Sequence, residues 1–188
     1  MITRRAAGIL VPLALLAACT TERTGTPTSP PTSPSGPSTD TLDFGTPSVT
    51  EPLDGTAFLA DPCSGLTPEQ QAEFGVGGGT ERTVENGPKC DYSGAEAVSV
   101  LFSDKDTGLS YLYGLQESGT WATWEPFELD GYPAVTYVKN AGKTCDVAVG
   151  LSDESYFSVA VPLVPGDDLD CARARDWAAR VLETVRAG

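Results

Sequence analysis

Carboxylates are the most abundant side chains in this sequence that could do acid–base chemistry. The chain of 188 residues has 26 Asp and Glu residues, 12 Lys and Arg residues and no histidine. Without histidine, Ser-His-Asp and Cys-His catalytic arrangements and imidazole metal ligands are excluded. The chemistry that remains is a pair of carboxylates across a scissile bond, as in glycoside hydrolases. No local motif selects such a pair, and we therefore predict no catalytic residue.

Two short segments have part of the pattern of a known binding loop. Asp104-Lys105-Asp106-Thr107-Gly108 begins like a calcium loop, but Thr107 and Leu115 stand where that pattern needs carboxylate or amide ligands. The glycines at 77–79 follow a predicted helix, whereas a phosphate-binding loop follows a strand and precedes a helix. We predict exposed turns at both places, and neither a metal nor a cofactor.

The charge of the chain excludes one class of partner. Its formal net charge is −14 at pH 7. Binding to nucleic acids or to an anionic membrane surface requires Lys and Arg side chains that displace counterions. We therefore expect no nucleic-acid partner.

The N-terminus has the layout of an export signal. Arg4 and Arg5 precede an apolar run at residues 6–18, which is shorter than the roughly 20 residues of a membrane-spanning helix. The run ends in Leu-Leu-Ala-Ala-Cys, which resembles the bacterial lipobox. We predict a lipoprotein signal peptide at 1–18 and a diacylglyceryl group on Cys19, whose two acyl chains would anchor the protein in the membrane. The alternative is a plain signal peptide with an incidental cysteine.

The segment after Cys19 has the composition of a tether. From Thr20 to Thr41, 17 of 22 residues are Thr, Ser or Pro. Such a segment has little apolar surface to bury, so we expect a disordered tether over 19–54, with a reach of roughly 70 Å for Thr20 to Thr41 in a polyproline conformation. Its hydroxyl groups are either unmodified or O-glycosylated.

Hydrophobic periodicity and turn residues predict a globular α+β domain at 55–188. Thr67-Pro68-Glu69-Gln70 predicts a capped helix that ends at Gly75. Apolar spacing predicts a middle helix around 109–116 and a C-terminal helix over 174–185, with a candidate N-cap at Asp170. Short strands with turns between them predict an antiparallel sheet. The predicted strands are 90–92, 98–102, 127–129, 134–138, 145–151 and 156–161.

Four cysteines remain besides Cys19: Cys63, Cys90, Cys145 and Cys171. An even set in an exported protein predicts two disulfides, and a zinc site of four thiolates is the alternative. Cys63 and Cys171 lie near predicted helix starts, whereas Cys90 and Cys145 lie at strand starts. Of the three possible connectivities we therefore predict Cys63 with Cys171 and Cys90 with Cys145.

An aromatic stretch is the candidate ligand or partner surface. It consists of Trp121, Trp124, Phe127 and Tyr132. Aromatic side chains of this kind line pockets and partner surfaces, but they also fill the space between a sheet and a helix. Both interpretations remain open at this point.

Together these features resemble an actinobacterial lipoprotein family called domain of unknown function 3558. The resemblance rests on the lipobox, the Ser/Thr/Pro-rich segment, Asp61-Pro62-Cys63 with Leu66-Thr67-Pro68, Cys90-Asp91-Tyr92, Gly131-Tyr132-Pro133-Ala134-Val135, Cys145 and Cys171-Ala172. It implies a lipoprotein on the extracytoplasmic face of the cell membrane, and it implies no reaction.

The expected function is binding, with no evident catalysis. The predicted partners are the membrane, through the lipid on Cys19, and an envelope ligand or exported protein at the aromatic stretch. One alternative is an accessory sensor of an envelope signalling system. Another is a histidine-free glycan hydrolase that uses paired carboxylates.

Overall fold

The structure is a computed structural model that describes residues 43–105, 107–140, 142–163 and 171–188. The predicted signal peptide, Cys19, the Ser/Thr/Pro-rich segment up to Thr41 and the candidate cap Asp170 lie outside the described residues. Within the described part of the chain, no helix has the length and apolar character needed to cross a membrane.

Seven strands of the described residues form one antiparallel sheet, which confirms the predicted α+β class. The order across the sheet is β1-β2-β3-β7-β6-β5-β4. The strands are β1 Thr80–Val84, β2 Gly87–Tyr92, β3 Val98–Ser103, β4 Trp121–Leu129, β5 Tyr132–Lys139, β6 Thr144–Gly150 and β7 Tyr156–Pro162. The helices are α1 Thr56–Ala60, α2 Pro68–Glu73, α3 Ser110–Glu117 and α4 Ala172–Ala187, with 3₁₀ turns at Asp43–Gly45 and Pro62–Gly65.

The two faces of the sheet differ in how they are covered. Because successive strand residues point to opposite faces, the alternating apolar residues of β3, β6 and β7 lie on one side. This side, the α4 face, packs against α4 and forms the larger core. The opposite side, the open face, meets α3 near β4. The strand residues buried on the α4 face include Val98, Val100, Phe102, Val147, Val149, Phe157, Val159 and Val161.

The C-terminal helix matches its predicted face. The buried residues of α4 are Ala174, Trp177, Ala178, Val181, Leu182 and Val185, the same set that recurs at three and four residues in the sequence. The helix begins at Ala172, with Cys171 at the N-cap position. An amphipathic pattern with this regularity has one way to bury its apolar stripe, which is against the sheet.

The predicted capping box is also present in α2. The Thr67 hydroxyl accepts a hydrogen bond from the backbone N–H of Gln70 at 3.3 Å, and the Gln70 side chain accepts one from the Thr67 N–H at 2.9 Å. Gly75, at φ +66°, follows the helix in the left-handed conformation. Gln70 in addition donates to the carbonyl of Arg180 at 3.1 Å, so that this cap also joins α2 to α4.

The four cysteines form two disulfides as predicted, but the predicted connectivity is wrong. The bonds join Cys63 to Cys90 and Cys145 to Cys171, with Cα separations of 5.0 and 5.7 Å. Strands β2 and β6 are separated by β3 and β7, which places Cys90 and Cys145 at least roughly 14 Å apart at about 4.8 Å per strand. A disulfide requires Cα atoms within about 7 Å, so the predicted pair cannot form.

The packed region extends to the N-terminal side of residue 55, where the predicted tether ends. The backbone N–H of Val49 donates to Asp153 Oδ1 at 2.8 Å, and that of Leu53 donates to the Leu151 carbonyl at 2.8 Å. Thr46 and Val49 are buried. Residues 43–54 therefore belong to the folded domain rather than to a tether.

Candidate functional site

A groove lies across the open face, where the central strands carry small side chains. Consecutive strands place Asp91, Ser99, Ala160, Asp146 and Tyr137 in one row of directly opposed residues. The next row has Ser158 and Ala148 at its centre. Because side chains this small leave the middle of the sheet uncovered, a groove of about 800 Å³ remains between α3 and the β1–β2 hairpin. Its lining includes Val84, Lys89, Ser99, Leu101, Tyr111, Leu112, Leu115, Trp121, Tyr137, Lys139, Thr144, Asp146, Tyr156, Ser158 and Ala160.

One wall of the groove is aromatic and held in place by mutual packing. The ring of Trp121 lies 4.6 Å from that of Tyr137 and 6.4 Å from that of Trp124. Trp124 in turn meets Tyr113 of α3 edge to face at 5.0 Å. The indole N–H of Trp121 donates to the carbonyl of Leu112 at 3.2 Å. Pairs of this kind add roughly 0.5–1.5 kcal/mol beyond the area that they bury, so the wall is preorganised.

The predicted aromatic surface is split between the two faces of the sheet. Trp121 and Trp124 belong to the core of the open face, whereas Phe127 and Tyr132 pack with the core on the α4 face. There the guanidinium of Arg175 lies 4.6 Å from the Phe127 ring. The four residues therefore do not form one ligand surface, because their positions along β4 and β5 have opposite parity. Trp121 is the one of the four that lines the groove.

Asp146 supplies a carboxylate at the centre of the groove floor. It is only 6% exposed, and its Oδ2 accepts a hydrogen bond from the Thr144 hydroxyl at 2.8 Å. Its Oδ1 receives no hydrogen bond from a described side chain. Burial raises the pKa of this carboxyl, while the Thr144 hydroxyl and the charge of Lys139 act in the opposite direction. A buried carboxylate with one donor is incompletely solvated, and a donor group of a ligand would complete its shell.

The chain matches the model of a family described as a protein of unknown function, DUF3558, over residues 14–184. The chain belongs to this family. The match confirms the resemblance in the sequence, and the family description assigns no activity. No curated protein and no solved structure gives a significant match to the chain.

Asp91 of this DUF3558 domain lies in the same row as Asp146 but is fully partnered. It accepts from the Ser99 hydroxyl at 2.6 Å and forms ion pairs with Lys89 at 2.9 Å and Arg82 at 3.1 Å. Burial alone would raise the pKa of Asp91, but the hydrogen bonds from Ser99 and Lys89 and the two positive charges lower it. Asp91 is therefore a structural anion, and Lys89 is already neutralised by it.

Two tyrosines of the groove, Tyr137 and Tyr156, remain neutral hydroxyl groups. Burial raises the pKa of Tyr156 to about 12 and that of Tyr137 well above its ordinary value. At neutral pH both can donate and accept hydrogen bonds without carrying charge. The charged groups among the described lining residues are thus Asp146, Lys89 and Lys139.

This charge arrangement gives the hydrolase alternative no support. Asp91 and Asp146 are three strands apart in one row, which corresponds to roughly 14 Å. Glycoside hydrolases hold their two carboxyl groups about 5–9.5 Å apart. In addition, Asp146 is the one carboxylate among the described residues that line the groove. The described lining of the DUF3558 groove therefore holds one carboxylate and no carboxylate pair.

Asp146 is a site residue that the sequence pattern does not predict. Its segment, Thr-Cys-Asp-Val-Ala-Val-Gly, predicts a strand and no other role. The available signal was a charged residue inside an otherwise apolar strand, because an Asp at such a position must be partnered or serve a function. Its neighbours in the row, Ala160 and Tyr137, come from other strands, so the groove itself has no local signature.

Proposed function

We propose that this protein is an exported, lipid-anchored cell-envelope protein that binds a small polar ligand in the open-face groove. The observation that carries this proposal is Asp146, a carboxylate that is 6% exposed, lines an open groove and has one side-chain hydrogen-bond donor. A buried anion costs stability unless it is partnered. A ligand that donates to Asp146 would offset that cost.

The size and lining of the groove support this proposal. Sites for small ligands have volumes of roughly 300–1,000 Å³ and combine apolar and aromatic walls with a few polar groups. The groove, at about 800 Å³, falls in this range. Trp121, Leu112 and Leu115 supply its apolar wall, and Asp146 and Lys139 supply charged groups.

The anchoring part of the proposal is supported by the N-terminal sequence and by the disulfides. The apolar run that ends at Cys19 resembles a lipobox. Two disulfides are typical of proteins that fold outside the cytoplasm. A lipid on Cys19 would hold the domain on the extracytoplasmic face of the membrane.

Filling the groove is expected to weaken binding without unfolding the domain. Ala160→Leu places a larger side chain on the floor, directly opposite Asp146 and Ser99. The ¹H–¹⁵N spectrum of the wild-type domain, recorded with neutral monosaccharides and with short peptides, should show shifts at groove residues. In Ala160→Leu the affinity should fall at least roughly tenfold, as when about 1.4 kcal/mol of binding energy is lost.

The matched control is Ala187→Leu, the same substitution at the exposed end of α4. It should leave both binding and the melting temperature unchanged. Absence of any groove shift with every probe, or equal affinity in the two variants, would contradict binding in the groove.

Removing the lipid-bearing cysteine is expected to release the protein from the membrane. Cys19→Ala takes away the thiol that would receive the diacylglyceryl group, and with it the two acyl chains that make anchoring stable. Cell fractionation followed by immunoblotting should find the wild type with membranes and the variant in the soluble exported fraction. Retention of the variant with membranes would count against lipidation at Cys19.

A further inference from the structure

Two opposite charges lie next to each other in the groove. Asp146 on β6 is directly opposite Tyr137 on β5, and Lys139 follows two residues later on the same strand. Lys139 is therefore a diagonal neighbour of Asp146, which corresponds to roughly 7–8 Å between positions across a sheet. Both residues line the groove.

Neither charge has an ion-pair partner in the described part of the chain. The ion pairs there involve Lys89 and four arginines on the basic side, but not Lys139. Asp146 accepts from the Thr144 hydroxyl alone among described side chains. Asp91, which lies in the same row as Asp146, has three donors instead: Ser99, Lys89 and Arg82. The open face thus supplies Asp91 with three donors and Asp146 with one hydroxyl donor, so that Asp146 can also accept from an external donor.

Two aromatic residues of the groove lie on the Asp146 side of the sheet. Tyr137 is the cross-strand neighbour of Asp146, and Trp121 lies 4.6 Å from Tyr137. The faces of tyrosine and tryptophan rings attract ammonium groups. A buried carboxylate beside such rings favours a protonated amine over an anion.

We propose that the ligand is a zwitterion the size of a dipeptide, with its ammonium group on Asp146 and its carboxylate on Lys139. This inference rests on the proposed function and assigns its ligand class. A dipeptide spans about 7 Å in extended form, which is similar to the diagonal separation of the two residues. A neutral ligand would displace water from the buried Asp146 and leave its carboxylate without a charged partner, which costs binding energy. Lys139, at the exposed end of β5, can reach the carboxylate of the ligand from the rim of the groove.

Capped dipeptides test each half of this assignment. The probes are alanyl-alanine, alanyl-leucine and alanyl-phenylalanine, each prepared free, N-acetylated, as the C-terminal amide and with both caps. Dissociation constants come from NMR titration of the wild type, Asp146→Asn and Lys139→Gln. Because the side chains within each set are identical, the caps report the two charges alone.

In the wild type, the N-acetyl cap is expected to weaken binding by roughly tenfold or more, as expected for the loss of a hydrogen bond to a buried charged group. The C-terminal amide is expected to weaken binding by roughly two- to fivefold, because Lys139 is exposed and exposed ion pairs contribute less. Asp146→Asn should remove the difference between free and acetylated probes. Lys139→Gln should remove the difference between free and amidated probes. Lys143→Gln, at an exposed position in the same turn, is the matched control and should preserve both differences.

The possible outcomes distinguish an error in the assigned ligand class from an error in the proposal that the groove binds a ligand. Equal binding of free and doubly capped dipeptides, or groove shifts with neutral monosaccharides only, would overturn the zwitterion assignment while groove binding stands. No groove shift with any probe would overturn both. The comparison of caps in the wild type needs no variant, so it holds even if Asp146→Asn fails to fold.

Discussion

Replacing Cys145 and Cys171 together by alanine is expected to lower the free energy of unfolding by roughly 3 to 4 kcal/mol. The disulfide closes a loop with a sequence separation of 26, and the chain-entropy model assigns about this value to a loop of that length. The bond also joins β6 to the N-cap of α4. Without it, the six buried residues of α4 still pack against the sheet, and Arg175 Nε still donates to Thr136 Oγ1 at 3.1 Å.

Thermal and urea unfolding of the double variant will measure this loss. A decrease of that size should lower the melting temperature by roughly 10 °C for a domain of this length. Cys63→Ala with Cys90→Ala is the matched variant, because its sequence separation of 27 is nearly the same. A non-reduced digest should contain a Cys145–Cys171 peptide. An unchanged unfolding midpoint in the Cys145 and Cys171 variant would contradict the assigned role.

Trp177→Ala is expected to cost about 3 to 5 kcal/mol, the range for deleting a large buried aromatic side chain. Trp177 is 1% exposed, and its ring stacks on Phe74 with centroids 3.8 Å apart. Its indole N–H donates to Glu96 Oε2 at 2.9 Å. The substitution therefore leaves a cavity between α4 and α2 and removes a donor from a carboxylate that Arg173 also contacts.

Two further variants separate the contributions to this loss. Trp177→Phe retains part of the ring and removes the indole N–H, so we expect a smaller destabilisation. Trp124→Ala, at a half-buried position on the other face, should cost less than Trp177→Ala because the cavity would be open to solvent. Chemical denaturation gives all three values. A loss below about 1 kcal/mol for Trp177→Ala would show that α4 is not held by this residue.

Elements with a strong local pattern were predictable from the sequence. The apolar stripe of α4 and the capping box of α2 each depend on residues within one or two turns, and the structure contains both. Strand β1 was missed, because all five of its residues are exposed and no alternation marks it. Strand β4 was predicted only at 127–129, because Pro126 interrupts its pattern and a bulge lies between Trp121 and Thr123.

The candidate site was much less predictable than these elements. Trp121 was chosen for its residue type and does line the groove, whereas Phe127 and Tyr132 face the other side of the sheet. Whether a residue has an odd or an even position along its strand decides which face of the sheet its side chain is on. The bulge in β4 changes this alternation near Trp121. The sequence does not indicate Asp146 and Lys139 as site residues, because they are neighbours on two different strands and share no local motif.

The sequence by itself predicted the α+β class, the helices with regular apolar faces and the presence of two disulfides, and the structure confirms these. The export signal stays a prediction from the sequence. These features depend on composition and on residues near one another in the chain. The tertiary structure alone decided the strand order. The strand order in turn decided the disulfide connectivity and the residues on the floor of the groove. Because β3 and β7 lie between β2 and β6, Cys90 cannot reach Cys145. Cys90 pairs with Cys63 instead, and Cys145 pairs with Cys171. The same order brings Ser99, Ala160 and Asp146 together on the floor of the groove, since pairing between distant segments is set by the burial of the whole sheet.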